Sequence, residues 1–249
     1  MPRSWTRVQR RPLIVATSNP GKLIEFRDLL ADLPFDLHGL GELGAAPPEE
    51  TGSSFLENAL LKARHAAAAA AAAGFCGASA LNVAALADDS GLEVDALGGA
   101  PGLLSARYAG KDAEASANNA KLLRALAGIP AERRRARYRC ALVMLQGTGD
   151  TAPLIAEGVW EGCIIDVPRG SGGFGYDPYF FLPELRRTAA QLDPEEKNRL
   201  SHRGIALRAL RDQWLARQRS HVPERQEARD GREARDGREA RLRLARGRP

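Results

Sequence analysis

The chain of 249 residues is 44% hydrophobic, ample for a core, yet its longest uncharged apolar run, the alanines of residues 66–73, is too short to span a bilayer. Its formal charge is +5, but from Arg217 onward 11 arginines face 6 acids. Residues 1–216 are therefore neutral, and the excess does not mark the fold itself as a nucleic-acid binder.

Residues 1–11 read as a disordered basic extension, residues 12–216 as the folded domain and residues 217–249 as a low-complexity charged tail. No apolar signal core follows the basic start, so a cytoplasmic location is expected. Cys76, Cys140 and Cys163 lack metal spacing and read as small buried hydrophobes.

Residues 13–16 read as a first strand. It runs into Thr17-Ser18-Asn19-Pro20-Gly21-Lys22 and a helix with Leu23, Phe26, Leu29 and Leu30 on one face. Pro20 suits a first helical turn, where its missing N–H costs nothing. A strand, a polar turn and a helix start make an anion site, because backbone N–H groups point outward there and Lys22 adds charge. It is not a Walker loop, which needs a glycine at Ala16 and a hydroxyl at Leu23.

Residues 35–40 form a short strand, and a loop holding Pro47-Pro48-Glu49-Glu50-Thr51-Gly52 follows. Ser54 and Glu57 fit a capping box that opens a helix over residues 55–73. Phe55, Ala59, Ala63 and Ala66 form its apolar stripe, whereas Asn58, Lys62 and His65 read as a solvated face. Residues 74–82 read as a helix extension and a loose loop. Residues 83–87 then read as a buried strand ending in Asp88-Asp89-Ser90, with Gly91 marking a turn. The two carboxylates either cap that turn or hold a hard divalent cation.

Residues 95–108 look like a glycine-rich surface segment, residues 113–126 a helix stopped by Gly128 and Pro130, and residues 137–146 a strand. Residues 154–160 and 162–167 are expected to pair about a Glu161-Gly162 turn. Gly170, Gly172 and Gly175 match a dinucleotide fingerprint, but Pro178 and the strand-like Tyr179-Phe180-Phe181 stand where a helix must open. That excludes the fingerprint. The loop reads either as a tight turn with Phe174 in the core or as a surface on which a base stacks. Asp193 opens another helix, and His202-Arg203 near the start of a last helix form a donor pair for a carbonyl or phosphate oxygen. Residues 227–232 repeat as residues 233–238 in a tail too charged to bury a face.

Five of these stretches stand in register: residues 17–22, Glu49-Glu50-Thr51-Gly52 with Glu57-Asn58-Ala59, residues 87–92, residues 172–178, and Lys197 with Ser201-His202-Arg203-Gly204. Together they resemble the Ham1 family of inosine and xanthosine triphosphate pyrophosphatases, over residues 12–216. Extra sequence between Ala66 and Asn82 and the two basic termini depart from the family pattern without touching a motif. The resemblance implies an elongated, two-lobed α/β fold with a mixed sheet and a central cleft, usually as a homodimer. It also implies Mg²⁺-dependent hydrolysis of a purine nucleoside triphosphate to its monophosphate and pyrophosphate. By position, Thr17, Ser18, Asn19, Pro20, Gly21 and Lys22 would hold the triphosphate. Asp89 would be the proton acceptor and a magnesium-associated carboxylate, with Glu49 the second metal-site acid. Ser90 would touch the substrate. Phe174, Gly175, Tyr176 and Asp177 would border the nucleoside, and Lys197, His202 and Arg203 would complete its pocket.

The chemistry agrees with that assignment. Attack of water on a phosphorus flanked by anionic oxygens needs charge neutralisation more than covalent help. Hypoxanthine and xanthine carry a 6-oxo acceptor where adenine carries an amino donor, so donors from His202 or Arg203 would be left unpaired by adenine. Two alternatives stand beside this reading: a nucleotide pyrophosphatase of broader specificity, and a nucleic-acid-binding module working through the arginine-rich tail. The tail interleaves acids and has no aromatic residue, which weighs against the second.

Overall fold

The computed structural model describes residues 10–17, 19–75 and 83–220. The expectations for residues 1–9, Ser18, Cys76, the rest of the loop to residue 82 and the tail from residue 221 lie outside these. The chain divides into two compact units, Met1–Arg211 and Asp212–Pro249. Of the second, only residues 212–220, the end of the last helix, are described. Among the described residues no helix is long and apolar enough to cross a membrane.

The first unit is mixed α/β, as expected, around one seven-stranded sheet in the order β2-β1-β3-β4-β5-β6-β7. Strand β1 (Arg11–Val15) runs parallel to both β2 (Phe35–Gly39) and β3 (Ala84–Val94). Parallel neighbours need crossover connections. Here α1 (Pro20–Leu29) supplies the first, and α2 (Phe55–Ala72) lies on the second. From β3 onward the sheet is antiparallel, through β4 (Arg135–Leu145), β5 (Leu154–Ile164), β6 (Phe180–Leu182) and β7 (Arg187–Thr188). Three further helices are α3 (Ala115–Ala125), α4 (Pro194–Leu200) and α5 (His202–Ser220).

The core forms two clusters. One presses Ala59, Ala63, Ala66, Ala67 and Ala70 of α2 onto Ile14, Ala85, Ala87 and Val143 of the sheet. Small side chains bring the helix axis close to the strands, so the alanine run continues the core rather than interrupting it. The other packs Leu92, Val94, Leu122, Leu126, Tyr138, Trp160 and Phe180.

Three sequence expectations need correction. Strand β3 does not stop at the Asp pair: it continues to Val94, so Asp88 and Asp89 lie in mid-strand. Gly91 is there for close approach, because a Cβ would stand 2.4 Å from the Gly102 carbonyl and 2.7 Å from the Ser105 hydroxyl. Likewise Glu161 and Gly162 form no turn but pair with Arg137 and Ala136 inside β5. A Cβ on Gly162 would meet the Phe180 ring at 2.7 Å. Finally, Arg10 and Arg11 are not free extension: Arg11 opens β1, and the Arg10 guanidinium donates to the Phe35 and Ala31 carbonyls. Cys140 is buried as expected and Cys163 half-buried.

Candidate active site

Helix α1 begins where β1 ends. Asn19 caps it, its Oδ1 accepting from the Gly21 and Lys22 amides at 2.9 and 3.3 Å, while the Thr17 hydroxyl accepts from the Asn19 amide. The cap leaves Lys22 pointing at the sheet, where its Nζ lies 3.0 Å from Asp88 Oδ2. Arg203, at the start of α5, reaches the same oxygen at 3.2 Å and the Ser90 hydroxyl at 3.2 Å. The two cations hold the buried Asp88 carboxyl far below the ordinary carboxylate range, against the opposing cost of burial. Asp88 is thus an internal counter-ion, ionised and fully paired.

Asp89 is raised instead. Burial is the largest cause and outweighs the nearby Lys62, and the Glu50 charge pushes the same way. Its oxygens accept from Lys62 Nζ at 2.7 Å and Asn58 Nδ2 at 3.2 Å. The helix face read as solvated is therefore turned inward: Asn58 is 1% exposed, and Lys62 bridges Asp89 to Glu50 Oε1, 2.6 Å away. Asn58 Oδ1 in turn accepts from the Gly52 amide at 2.7 Å, tying the Glu49–Gly52 loop to Asp89. The cap of α2 holds as expected at Ser54, whose hydroxyl accepts from the Glu57 amide, but the Glu57 carboxylate returns to Ser53 instead of Ser54.

Glu49 is exposed, whereas Glu50 is half-buried and shares Lys62 with Asp89. Lys62 and Arg107 hold one Glu50 oxygen each, at 2.6 Å, and together they lower its pKa despite burial. Glu50, the neighbour of the expected Glu49, is thus the glutamate that shares Lys62 with Asp89. Strand parity could not separate two adjacent glutamates in a loop.

On the other side lies a cavity of about 310 Å³. Asn19, Lys22, Ser90, Phe174, Lys197 and His202 line it, and Gly175, Tyr176, Asp177 and Arg203 also face it. Asp177 organises the glycine-rich loop: its carboxylate accepts from the Phe174 amide at 2.9 Å, Lys197 Nζ at 2.8 Å and the Tyr138 hydroxyl at 3.2 Å. Phe174 is consequently not tucked into the core. It is 39% exposed, with Lys197 Nζ 4.6 Å over its ring. Asn119 donates to the Gly175 carbonyl, and the Tyr176 hydroxyl donates to the Ser105 carbonyl. His202 stacks on Tyr138 at 4.8 Å and stays neutral, because burial and then the Arg203 and Lys197 charges push its pKa well below 6.5. Its Nδ1 is buried without a hydrogen-bond partner.

Thirteen of the fourteen expected substrate-side residues fall among the described ones, and ten of them line this cavity; Thr17, Pro20 and Gly21 do not. Sequence reasoning missed Asn58, Lys62, Glu50, Arg107 and Glu25. Glu25, on α1, pairs with Arg203 and Lys197. The i, i+4 spacing of Asn58 and Lys62 beside the buried Ala59 and Ala63 was the available signal.

Among the described residues no three His, Cys, Asp or Glu side chains converge as a metal cluster. Mg²⁺, however, is usually held by one or two carboxylates together with substrate phosphates. Asp89 and Glu50 fit that mode, since they already share one cation, the Lys62 ammonium.

Fold and cavity together define an α/β protein with a cavity lined by cationic and aromatic side chains. The chain belongs to the Ham1 family, whose model matches residues 13–213. It is 55% identical over 198 residues to the dITP/XTP pyrophosphatase of Xanthomonas campestris pv. campestris, covering 80% of this chain and 94% of that protein. It is 51% identical to the dITP/XTP pyrophosphatase of Pectobacterium atrosepticum, covering 80% and 96%. Among solved structures, a HAM1 protein from Coxiella burnetii matches with a TM-score of 0.70 at 46% identity, over 80% of this chain and 96% of that one. The Staphylococcus aureus Ham1 protein matches with a TM-score of 0.70 at 38% identity, over 83% and 100%.

Proposed function

We propose that this chain hydrolyses the non-standard purine nucleoside triphosphates dITP, XTP and ITP to the monophosphate and pyrophosphate, with Mg²⁺. The names of its relatives support the reaction class. The observation that carries the reading is a cavity lined by Lys22, Lys197, Arg203 and the exposed Phe174 ring, together with a pair of carboxylates, Asp89 and Glu50, that share one cation.

Lys22 receives the phosphates at the start of α1. Five carboxylates (Glu25, Glu50, Asp88, Asp89, Asp177) are matched by five cations (Lys22, Lys62, Arg107, Lys197, Arg203). A site already neutral needs added positive charge to accept a polyanion; Asp89 and Glu50 would hold the Mg²⁺ that supplies it. Asp89 would position the attacking water and take its proton; because a divalent cation held there keeps its pKa low, it would act by placing that water more than by strong basicity. Phe174 stacks the base.

Selectivity follows from which donors cannot become acceptors. Neutral His202 can present either N–H or a lone pair at Nδ1, so by itself it tolerates adenine as well as hypoxanthine. Lys197 and Arg203 have no acceptor to offer. Discrimination for a 6-oxo group therefore falls on these two, and His202 adapts to them. The products decide the reaction: ³¹P NMR of a turnover mixture with ITP should show monophosphate and pyrophosphate. Orthophosphate with the diphosphate would contradict the proposal.

A further inference from the structure

Gly91 admits the segment Gly102–Arg107 against β3, and that segment is fastened at three points. The Ser105 hydroxyl accepts from the Leu92 amide at 2.8 Å, the Ser105 carbonyl accepts from the Tyr176 hydroxyl at 2.8 Å, and the Ala106 carbonyl accepts from Asn118 at 3.1 Å. Ser105, Ala106 and Tyr176 face the cavity. The next residue, Arg107, leaves the cavity wall and places Nη1 2.6 Å from Glu50 Oε2, on the oxygen that Lys62 does not use. Arg107 thus joins a rigid wall of the nucleotide cavity to an acid carried on an otherwise irregular loop.

We infer that Arg107 is a positioning residue that fixes the Glu50 carboxylate toward Asp89, so that the two acids can take one divalent cation. This rests on the proposed metal role of Glu50 and Asp89. Lys62 lies between the two acids, in the place where a cation bound by both must come, so it cannot hold Glu50 while that cation is present. Arg107 sits on the far oxygen and can. Partners that orient a metal ligand from outside typically change metal affinity by about 10- to 100-fold when removed.

Charge alone would act with the opposite sign. Removing a cation beside the site should tighten binding of another cation, whereas losing the positioning contact should weaken it. The test is Mn²⁺ binding to the full-length, nucleotide-free protein, followed by the electron paramagnetic resonance of free Mn²⁺, with folding checked by circular dichroism. Arg107→Gln should raise the Mn²⁺ Kd about tenfold, and Arg107→Lys, which keeps a donor, should recover most of that loss. An unchanged or lower Kd in Arg107→Gln overturns the inference. Glu50→Gln separates the two layers: if it too leaves Mn²⁺ binding intact, the metal reading itself has failed.

Discussion

The Lys22 ammonium lies 3.0 Å from Asp88, a carboxylate whose side chain is 1% exposed, while the adjacent Asp89 turns the other way, to Lys62. Alternation along β3 sends the neighbours to opposite faces. One acid anchors α1 and α5 to the sheet, and the other faces the loop that carries Glu50. Asp88→Asn removes the carboxylate that Lys22 and Arg203 share, leaving Arg203 with Glu25, and should cost up to about 3–5 kcal/mol, the range for breaking a buried ion pair from one side. Urea unfolding measures it. Asp89→Asn keeps the partners of Asp88 and should unfold near the parent midpoint while turnover falls at least about a hundredfold, as for loss of a proton acceptor.

Phe174 carries Lys197 over one ring face and remains exposed. Stacking a base on it is worth about 1–3 kcal/mol, so Phe174→Ala should raise the KM for ITP by about fivefold to a hundredfold. Inhibition by inorganic tripolyphosphate, which has no base, should stay within about twofold. Equal weakening of both would show that the ring shapes the whole cavity instead.

Glu49 and Glu50 make an internal comparison. Glu50→Gln should raise the Mg²⁺ concentration for half-maximal rate at least about tenfold, and Glu49→Gln should leave it within about twofold. Steady-state rates over a Mg²⁺ titration read both.

His202 is held neutral by burial, reinforced by Arg203 and Lys197. An unfolded histidine protonates below about pH 6.5 while the folded one does not, so below that pH the unfolded chain binds more protons. Stability therefore falls as pH drops from 6.5 toward the lowered folded pKa, by at most about 1.4 kcal/mol per pH unit from this group, and is unaffected by it above 6.5. Denaturant unfolding at pH 6.5 and 5.5 should show the parent losing about 1 kcal/mol more than His202→Gln. Parallel losses would mean that the imidazole is protonated in the native state.

Much of this site was legible because its residues lie in short contiguous stretches with local chemistry: a capped helix start after a strand, a glycine-rich loop that no helix follows, a His-Arg pair at a helix N-terminus. What escaped depended on distant packing. Gly91 and Gly162 look like turn residues along the chain, yet each is a strand position where another segment comes too close for a Cβ. Asn58 and Lys62 look solvated on a helical wheel, because nothing local announces that Asp89 lies across from them. The choice of Glu50 over Glu49 is made by Arg107 and Lys62, which the fold brings from two other elements.

The most direct measurement is pyrophosphate release from ITP, dITP and XTP compared with ATP and GTP, with Mg²⁺ and with Asp89→Asn as the control. Adenine lacks the 6-oxo acceptor that Lys197 and Arg203 would bind under the proposed selectivity; guanine shares it, and because xanthine carries an oxygen of nearly the same size at position 2, rejection of GTP requires that the guanine 2-amino donor be left unpaired. The account predicts rapid release from the first three, slow release from the last two, and none above background from Asp89→Asn. Equal rates on all five would discard the selectivity argument, and a fully active Asp89→Asn would contradict the site itself.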